Sequence, residues 1–284
     1  MYLTRHATKS GNSWAADGKL LSEDFSLKEL MRLPRDQIKN YVEKLLIAER
    51  PDGLLLAPIE DEQEVWASGV TYCRSREARE AETDIKNIYA KVYRAERPEL
   101  FFKAIGWRVA GHRSSIRLRR DSAWNVPEPE MTLAVNSRGE ILGYCVGNDV
   151  SSRDIEGENP LYLPQAKVYD GSCALGPGIR IADEKSLTDL PIRIEISRNE
   201  EVVFADQTRT SQINRPLETL ITYLMKETAF PYGVFLMTGT GIVPPDDFTL
   251  HSGDCVRIDI DSLVLENTVA AQAADRMPLS GTVP

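Results

Sequence analysis

Glu128-Pro129-Glu130-Met131-Thr132-Leu133-Ala134-Val135, then Asn136-Ser137-Arg138-Gly139-Glu140, then Ile141-Leu142-Gly143-Tyr144-Cys145-Val146-Gly147-Asn148-Asp149 reads as strand, tight turn, strand. Side chains on a strand alternate between faces. Glu128 and Glu130 therefore point one way, and Met131, Leu133 and Val135 point the other. With Arg138-Gly139 as the two central turn residues, antiparallel pairing sets Glu128 opposite Asp149, and a bulge would shift this register by one. Pro129 at a strand start marks an edge or an irregular rim. Three carboxylates on one face repel one another and raise each other's pKa values unless a cation neutralises them. Oxygen-only ligands favour a hard divalent ion, Mg²⁺ first, with Mn²⁺ or Ca²⁺ as alternatives. The competing reading is a solvated acidic face.

Working outward, the 284 residues suffice for a substantial core in one or two domains. A net charge of -9 argues against nucleic-acid or anionic-membrane partners and suits a small metal-bound substrate. No apolar run approaches the ~18 residues of a membrane span, and Met1-Tyr2-Leu3-Thr4-Arg5-His6 lacks the apolar stretch of a signal peptide, so a cytoplasmic protein is expected. Cys73, Cys145, Cys173 and Cys255 have no metal-ligand spacing and read as reduced, buried small hydrophobes.

Residues 1–62 read as a small N-terminal α/β domain. It has helical patterns from Ser26 and over Asp36 to Ala48, then a short apolar strand from Leu54 to Ile59. Residues 63–284 read as the β-rich body. Ile192-Arg193-Ile194-Glu195-Ile196 and Val256-Arg257-Ile258-Asp259-Ile260 alternate cleanly there, and one helix starts at Pro216. The charged segment from Arg74 to Arg97, with Arg79, Glu80 and Glu82 within it, suits a solvated helix or loop, or a lid beside a strand-built site.

The chain lacks a Gly-x-Ser-x-Gly elbow, a phosphate-binding P-loop and a complete dinucleotide fingerprint. His6, His112 and His251 have no metal-ligand or triad neighbourhood. Acid/base work is left to Glu, Asp, Lys, Tyr or a metal-bound water.

Glu128-x-Glu130, Asn148-Asp149-Val150-Ser151-Ser152-Arg153-Asp154, Lys167, Thr238-Gly239-Thr240 and Leu250-His251-Ser252-Gly253-Asp254 together resemble the fumarylacetoacetate hydrolase superfamily over about residues 65 to 270. The run from Arg153 to Lys167 and the segment Glu96 to Lys103 resemble its branch of 2-keto-3-deoxy sugar acid dehydratases. The resemblance implies an α+β fold with a mixed β-roll catalytic domain and a smaller N-terminal domain. It also implies a homodimer or higher homo-oligomer and Mg²⁺ on Glu128, Glu130 and Asp149. Lys167 would approach the substrate, Thr240 would contact its carboxylate or keto oxygen, and Arg74, Ser75 and Arg153 are further candidates for binding it.

Departures from the superfamily's hydrolases bear on the reaction. Those hydrolases carry a lid histidine, paired with a glutamate, that activates water. The corresponding stretch here, Gly69 to Arg79, has no histidine, and Glu77 or Ser75 falls near that place. The fourth carboxylate that some members add to the metal would fall near Val70, and Glu156 stands where many hydrolases have glutamine. These differences favour a hydro-lyase that dehydrates a 2-keto-3-deoxy sugar acid through a metal-stabilised enolate, of the type that converts a pentonate to 2,5-dioxopentanoate. Glu99 or Glu77 would be the base, and Lys167 or Lys103 the acid. Phe101 and Phe102 between Glu99 and Lys103 provide an apolar setting that moves both pKa values toward working range. The alternative is hydrolysis or decarboxylation of a β-diketo or oxaloacetate-like acid.

Overall fold

The computed structural model describes residues 1–9, 11–82 and 87–271, with the side chains of residues 78–82, 87 and 88 left out. Two mixed sheets make up most of it. In spatial order the larger runs Lys19–Leu20, Gly11–Ala16, Tyr2–Thr8, Cys173–Ile181, Ile141–Asp149, Pro129–Val135, Val234–Met237, Glu64–Gly69 and Glu99–Ile105, with Leu54–Leu56 also paired to Tyr2–Thr8. The smaller runs Glu201–Arg209, Pro191–Arg198, Cys255–Ile260, Leu263–Val269 and Ser115–Ile116. Two of the pairings are parallel, Val234–Met237 with Glu64–Gly69 and Leu263–Val269 with Ser115–Ile116.

The hairpin lies at the centre of the larger sheet, and every residue of Pro129–Val135 and Ile141–Asp149 is buried. Its two faces feed two apolar clusters. Met131, Leu133 and Val135 pack toward the smaller sheet and the helix Leu217–Met225. Ala134, Leu142 and Cys145 pack toward Leu3, Trp14, Phe25, Leu30 and Ile38 of the N-terminal segment. The first 62 residues thus contribute strands to the same sheet as the body, through Leu3 paired with Ile179.

The turn differs from the two-residue Arg138-Gly139 expectation. Gly139 N–H donates to Asn136 O, Asn136 N–H donates to Glu140 O, and Gly139 takes a left-handed φ of +82° that only glycine adopts without strain. This wider turn pairs Ile141 with Val135. An extra residue at Leu142 then shifts the ladder, so that Gly143 pairs with Ala134 and Gly147 with Glu130. The two differences cancel where the carboxylates stand. Asp149 N–H donates to Glu128 O at 3.0 Å.

The charged segment forms helices Cys73–Glu82 and Asn87–Arg94. The side chains of Arg79, Glu80 and Glu82 lie outside the described residues. All four cysteines are free thiols. Cys145 and Cys173 are buried as expected, Cys255 is half-buried, and Cys73 is exposed at the start of its helix.

Candidate active site

Glu128, Glu130 and Asp149 each present a carboxylate oxygen within 4.8 Å of the others, and all three residues are buried. The solvated acidic face is thereby excluded. Around them a small cavity is lined by Ser68, Gly69, Val70, Ser75, Glu99, Phe101, Glu156, Leu163, Lys167, Gly239 and Thr240. Larger grooves, such as the one bordered by Arg193, Glu195, Arg257 and Asp259, lie on open sheet surface and hold none of these residues.

Lys167 ends the short helix Leu163–Lys167 and is 1 % exposed. Its Nζ donates to Glu128 Oε2 at 2.6 Å, Ser151 Oγ at 2.6 Å and Asp149 Oδ2 at 3.2 Å, above the Phe101 ring. Arg153 takes the other oxygen of Glu128 at 2.8 Å and reaches Glu156 at 3.4 Å. Lys103 is fully buried, 2.5 Å from Asp149 Oδ1, and donates to the carbonyls of Val150 and Lys167 at 3.1 and 2.5 Å. It is the extra residue of a bulge, because Val65 pairs with Ala104 while Trp66 pairs with Phe102. A bulge re-aims the side chain it carries. With hydrogen bonds to two main-chain carbonyls, an ion pair to Asp149 and no place in the cavity wall, Lys103 fixes Asp149 and the Lys167 main chain.

These cations serve Glu128 and Asp149. Glu130 Oε2 instead accepts the Gly239 N–H at 2.5 Å, and among the described residues no Lys or Arg is within ion-pair distance of it. Gly239 has φ +89°, and a Cβ there would lie 2.0 Å from Thr71 Oγ1, so glycine is required for this approach. Burial first, then the Asp149 and Glu128 charges, push the Glu130 carboxyl well above the usual carboxylate range, against a smaller pull from Lys167 and the Gly239 N–H. The all-oxygen donor set of Glu128, Glu130 and Asp149 fits one hard divalent cation.

Glu99 lines the cavity, its carboxylate lying against the Cα of Gly69, where any Cβ would meet Oε2 at 2.0 Å. Next to it Val70 holds φ +52°, a conformation that costs a β-branched residue on the order of 1–3 kcal/mol and is characteristic of functional sites. Ser75 and Thr240 are buried in the cavity wall. Ser75 Oγ donates to Tyr72 O, and Thr240 Oγ1 lies 3.2 Å from the Ile242 N–H.

Two of the expected residues stand apart. Glu77 is exposed, with Oε1 3.2 Å from Arg76 and 3.3 Å from Cys73 Sγ. Arg74 reaches Val243 O at 3.5 Å and Asp206 at 3.9 Å. Helical phase accounts for this: Ser75 faces the cavity, and a residue two positions on points nearly the opposite way. Ser151, Gly239 and Glu156 are site residues that motif reading left unassigned. Ser151 is two residues beyond Asp149, the strand spacing that returns a side chain to the same face, and that signal was available in the sequence.

The fumarylacetoacetate (FAA) hydrolase C-terminal family profile matches residues 65–270. The chain is 46% identical over 211 residues to the probable 2-keto-3-deoxyxylonate dehydratase of Haloferax volcanii, covering 74% of this chain and 73% of that protein. It is also 46% identical over 209 residues to the 2-dehydro-3-deoxy-D-arabinonate dehydratase of Saccharolobus solfataricus, covering 72% and 70%. A solved structure of 2-keto-3-deoxy-D-arabinonate dehydratase complexed with magnesium and 2,5-dioxopentanoate matches with a TM-score of 0.82 and 37% identity, over 96% of this chain and all of that one. The carboxylate hairpin, the buried lysine that faces it and a family profile spanning most of the sequence together make this chain a member of the fumarylacetoacetate hydrolase family.

Proposed function

We propose that the protein is a Mg²⁺-dependent hydro-lyase that dehydrates a 2-keto-3-deoxy sugar acid, a pentonate giving 2,5-dioxopentanoate. The observation that carries the reading is the buried Lys167 ammonium against Glu128 and Asp149, in the same cavity as Glu130 and Glu99. The names of the two relatives and of the matched structure support it. Mg²⁺ held by Glu128, Glu130 and Asp149 would supply the positive charge that draws in the C1 carboxylate and C2 oxygen and acidifies the C3 protons.

The protein's own groups do the rest. Glu99, half-buried in the wall beside Phe101, takes a C3 proton. Lys167 adds fixed positive charge where negative charge grows and gives a proton to the departing C4 hydroxyl, which leaves as water. Loss of the C3 proton and the C4 hydroxyl leaves a C3=C4 double bond conjugated with the C2 ketone. Moving a proton from C5 to C3 turns this into the C4=C5 enol of a pentonate, which tautomerises to the C5 aldehyde. Ser75 and Thr240 offer hydroxyls for orientation, and Leu163 and Phe101 exclude water. Among the described residues no histidine lines the cavity, so the imidazole-activated water of a C–C hydrolase has no counterpart among them.

In this proposal the protein acts in the cytoplasm as a homodimer or larger homo-oligomer. No described helix is long and apolar enough to cross a membrane. Incubation with a panel of 2-keto-3-deoxy acids and Mg²⁺, scoring aldehyde and pyruvate separately, tests the reading. Aldehyde without pyruvate is expected, and pyruvate as the main product would reject dehydration.

A further inference from the structure

The helix that presents Lys167 is only five residues long, Leu163–Lys167, and so short a helix does not hold its own place. Its last carbonyls lack partners within the helix and must be met from outside. Val168 N–H closes on Pro164 O at 2.9 Å, whereas the next N–H, that of Tyr169, goes to Ser172 Oγ at 3.3 Å. The Gln165 carbonyl accepts from Arg119 Nη1 at 3.0 Å. Two residues on, the Lys167 carbonyl accepts from Ser172 Oγ at 2.8 Å and from Lys103 Nζ at 2.5 Å. Lys103 and Ser172 grip the end of the helix from the buried side. Arg119 grips it from the solvent side, where it lines an open groove with Arg117, Asp121 and Tyr169.

Arg119 is itself aimed. Its Nε and Nη2 donate to the two oxygens of Asp121 at 2.8 and 2.5 Å, and the guanidinium carbon stands 5.8 Å from the centre of the Tyr169 ring. A guanidinium is a rigid planar fork, so fixing one edge on a carboxylate and one face on a ring sets the direction of the remaining Nη1. The Arg119 side chain is 20 % exposed and that of Asp121 64 %, and a pair so open to solvent contributes little to stability. Its geometric effect is larger, because Gln165 and Lys167 share one turn and Lys167 Nζ stands 2.6 Å from both Glu128 and Ser151.

We infer that Arg119 is a positioning residue for Lys167, holding the helix Leu163–Lys167 through the Gln165 carbonyl so that the ammonium meets the substrate at a fixed place. This rests on the dehydratase reading for what Lys167 does in turnover. Arg119 is not in the cavity wall and acts only through the helix.

R119A should bind Mg²⁺ with wild-type affinity while kcat falls about tenfold or more and KM changes little, since a misplaced acid costs turnover more than binding. R119K, which keeps the charge but loses the fork, should show the same split to a smaller degree. In the double variant R119A/K167M, kcat should equal that of K167M alone, because Arg119 has nothing left to place. Unchanged kcat in both Arg119 variants, or losses that multiply in the double variant, would overturn the inference. In ¹⁵N-lysine-labelled protein without substrate, the Lys167 Nζ resonance, identified by its absence from K167M, should shift or broaden in R119A and R119K. An unmoved resonance would also overturn the inference. A wild type that releases no dioxo acid would count against the dehydratase reading alone, because this resonance is read without turnover.

Discussion

Replacing Lys167 by Met keeps the length of the side chain and deletes its charge, and the structure gives the consequences opposite signs. Without metal, the ammonium holds Glu128 and Asp149 at 2.6 and 3.2 Å in a fully buried setting. Removing one partner of such a pair costs about 3–5 kcal/mol. For a chain of 284 residues that is a fall of roughly 5–8 °C in Tm. Adding Mg²⁺ should reverse part of the loss, because the variant leaves two carboxylates with less positive charge and the cation now has less to compete with. A tenfold gain in Mg²⁺ affinity would add about 1.4 kcal/mol at equal free metal. Turnover should nevertheless fall by on the order of 10²-fold, since the lost charge acts on the transition state. Thermal unfolding with and without Mg²⁺, calorimetry of Mg²⁺ binding and initial rates supply the three readings. Native turnover, or a Tm gap that Mg²⁺ leaves unchanged, would refute the reasoning.

Three further outcomes follow from the same geometry. Glu130→Gln removes a ligand and also a buried charge that its neighbours disfavour, so Mg²⁺ affinity should fall at least tenfold while the metal-free protein keeps or gains stability; unchanged affinity by calorimetry would remove Glu130 from the metal set. A raised folded pKa means that the metal-free protein holds a proton the unfolded chain has released, so its stability should decline as pH rises above the ordinary glutamate value of 4.5, and Mg²⁺ should expel that proton. Titrations in buffers of different ionisation heat should report proton release, and identical heats would count against it. Gly69→Ala puts a Cβ 2.0 Å from Glu99 Oε2 and should lower kcat by roughly 10²-fold with Mg²⁺ affinity intact; native kcat would free Glu99 from the role of base.

The carboxylate hairpin was legible because alternation is a local property and one residue of slip would bury the wrong face. Its register at Glu128 and Asp149 holds although the turn was read too tightly. The left-handed Gly139 and the extra Leu142 compensate for each other, and neither has a distinctive sequence signature. Residues brought in from afar were legible only by resemblance. Lys167 arrives on a five-residue helix and Gly239 on a loop, and neither position follows from periodicity. Lys103 and Glu99 looked like one functional pair on a strand, but a bulge turns Lys103 behind Asp149 and leaves Glu99 in the wall. Glu77 and Ser75 could not both face the site once the segment became a helix.

Uniformly ¹³C-labelled 2-keto-3-deoxypentonate, followed by NMR with Mg²⁺ and then with a chelator, tests the central claim most directly. Dehydration breaks C3–H and C4–O and leaves all five carbons joined, so one new spin system ending in an aldehyde should appear with Mg²⁺ and vanish with the chelator. Two separate labelled fragments, pyruvate among them, would contradict the account.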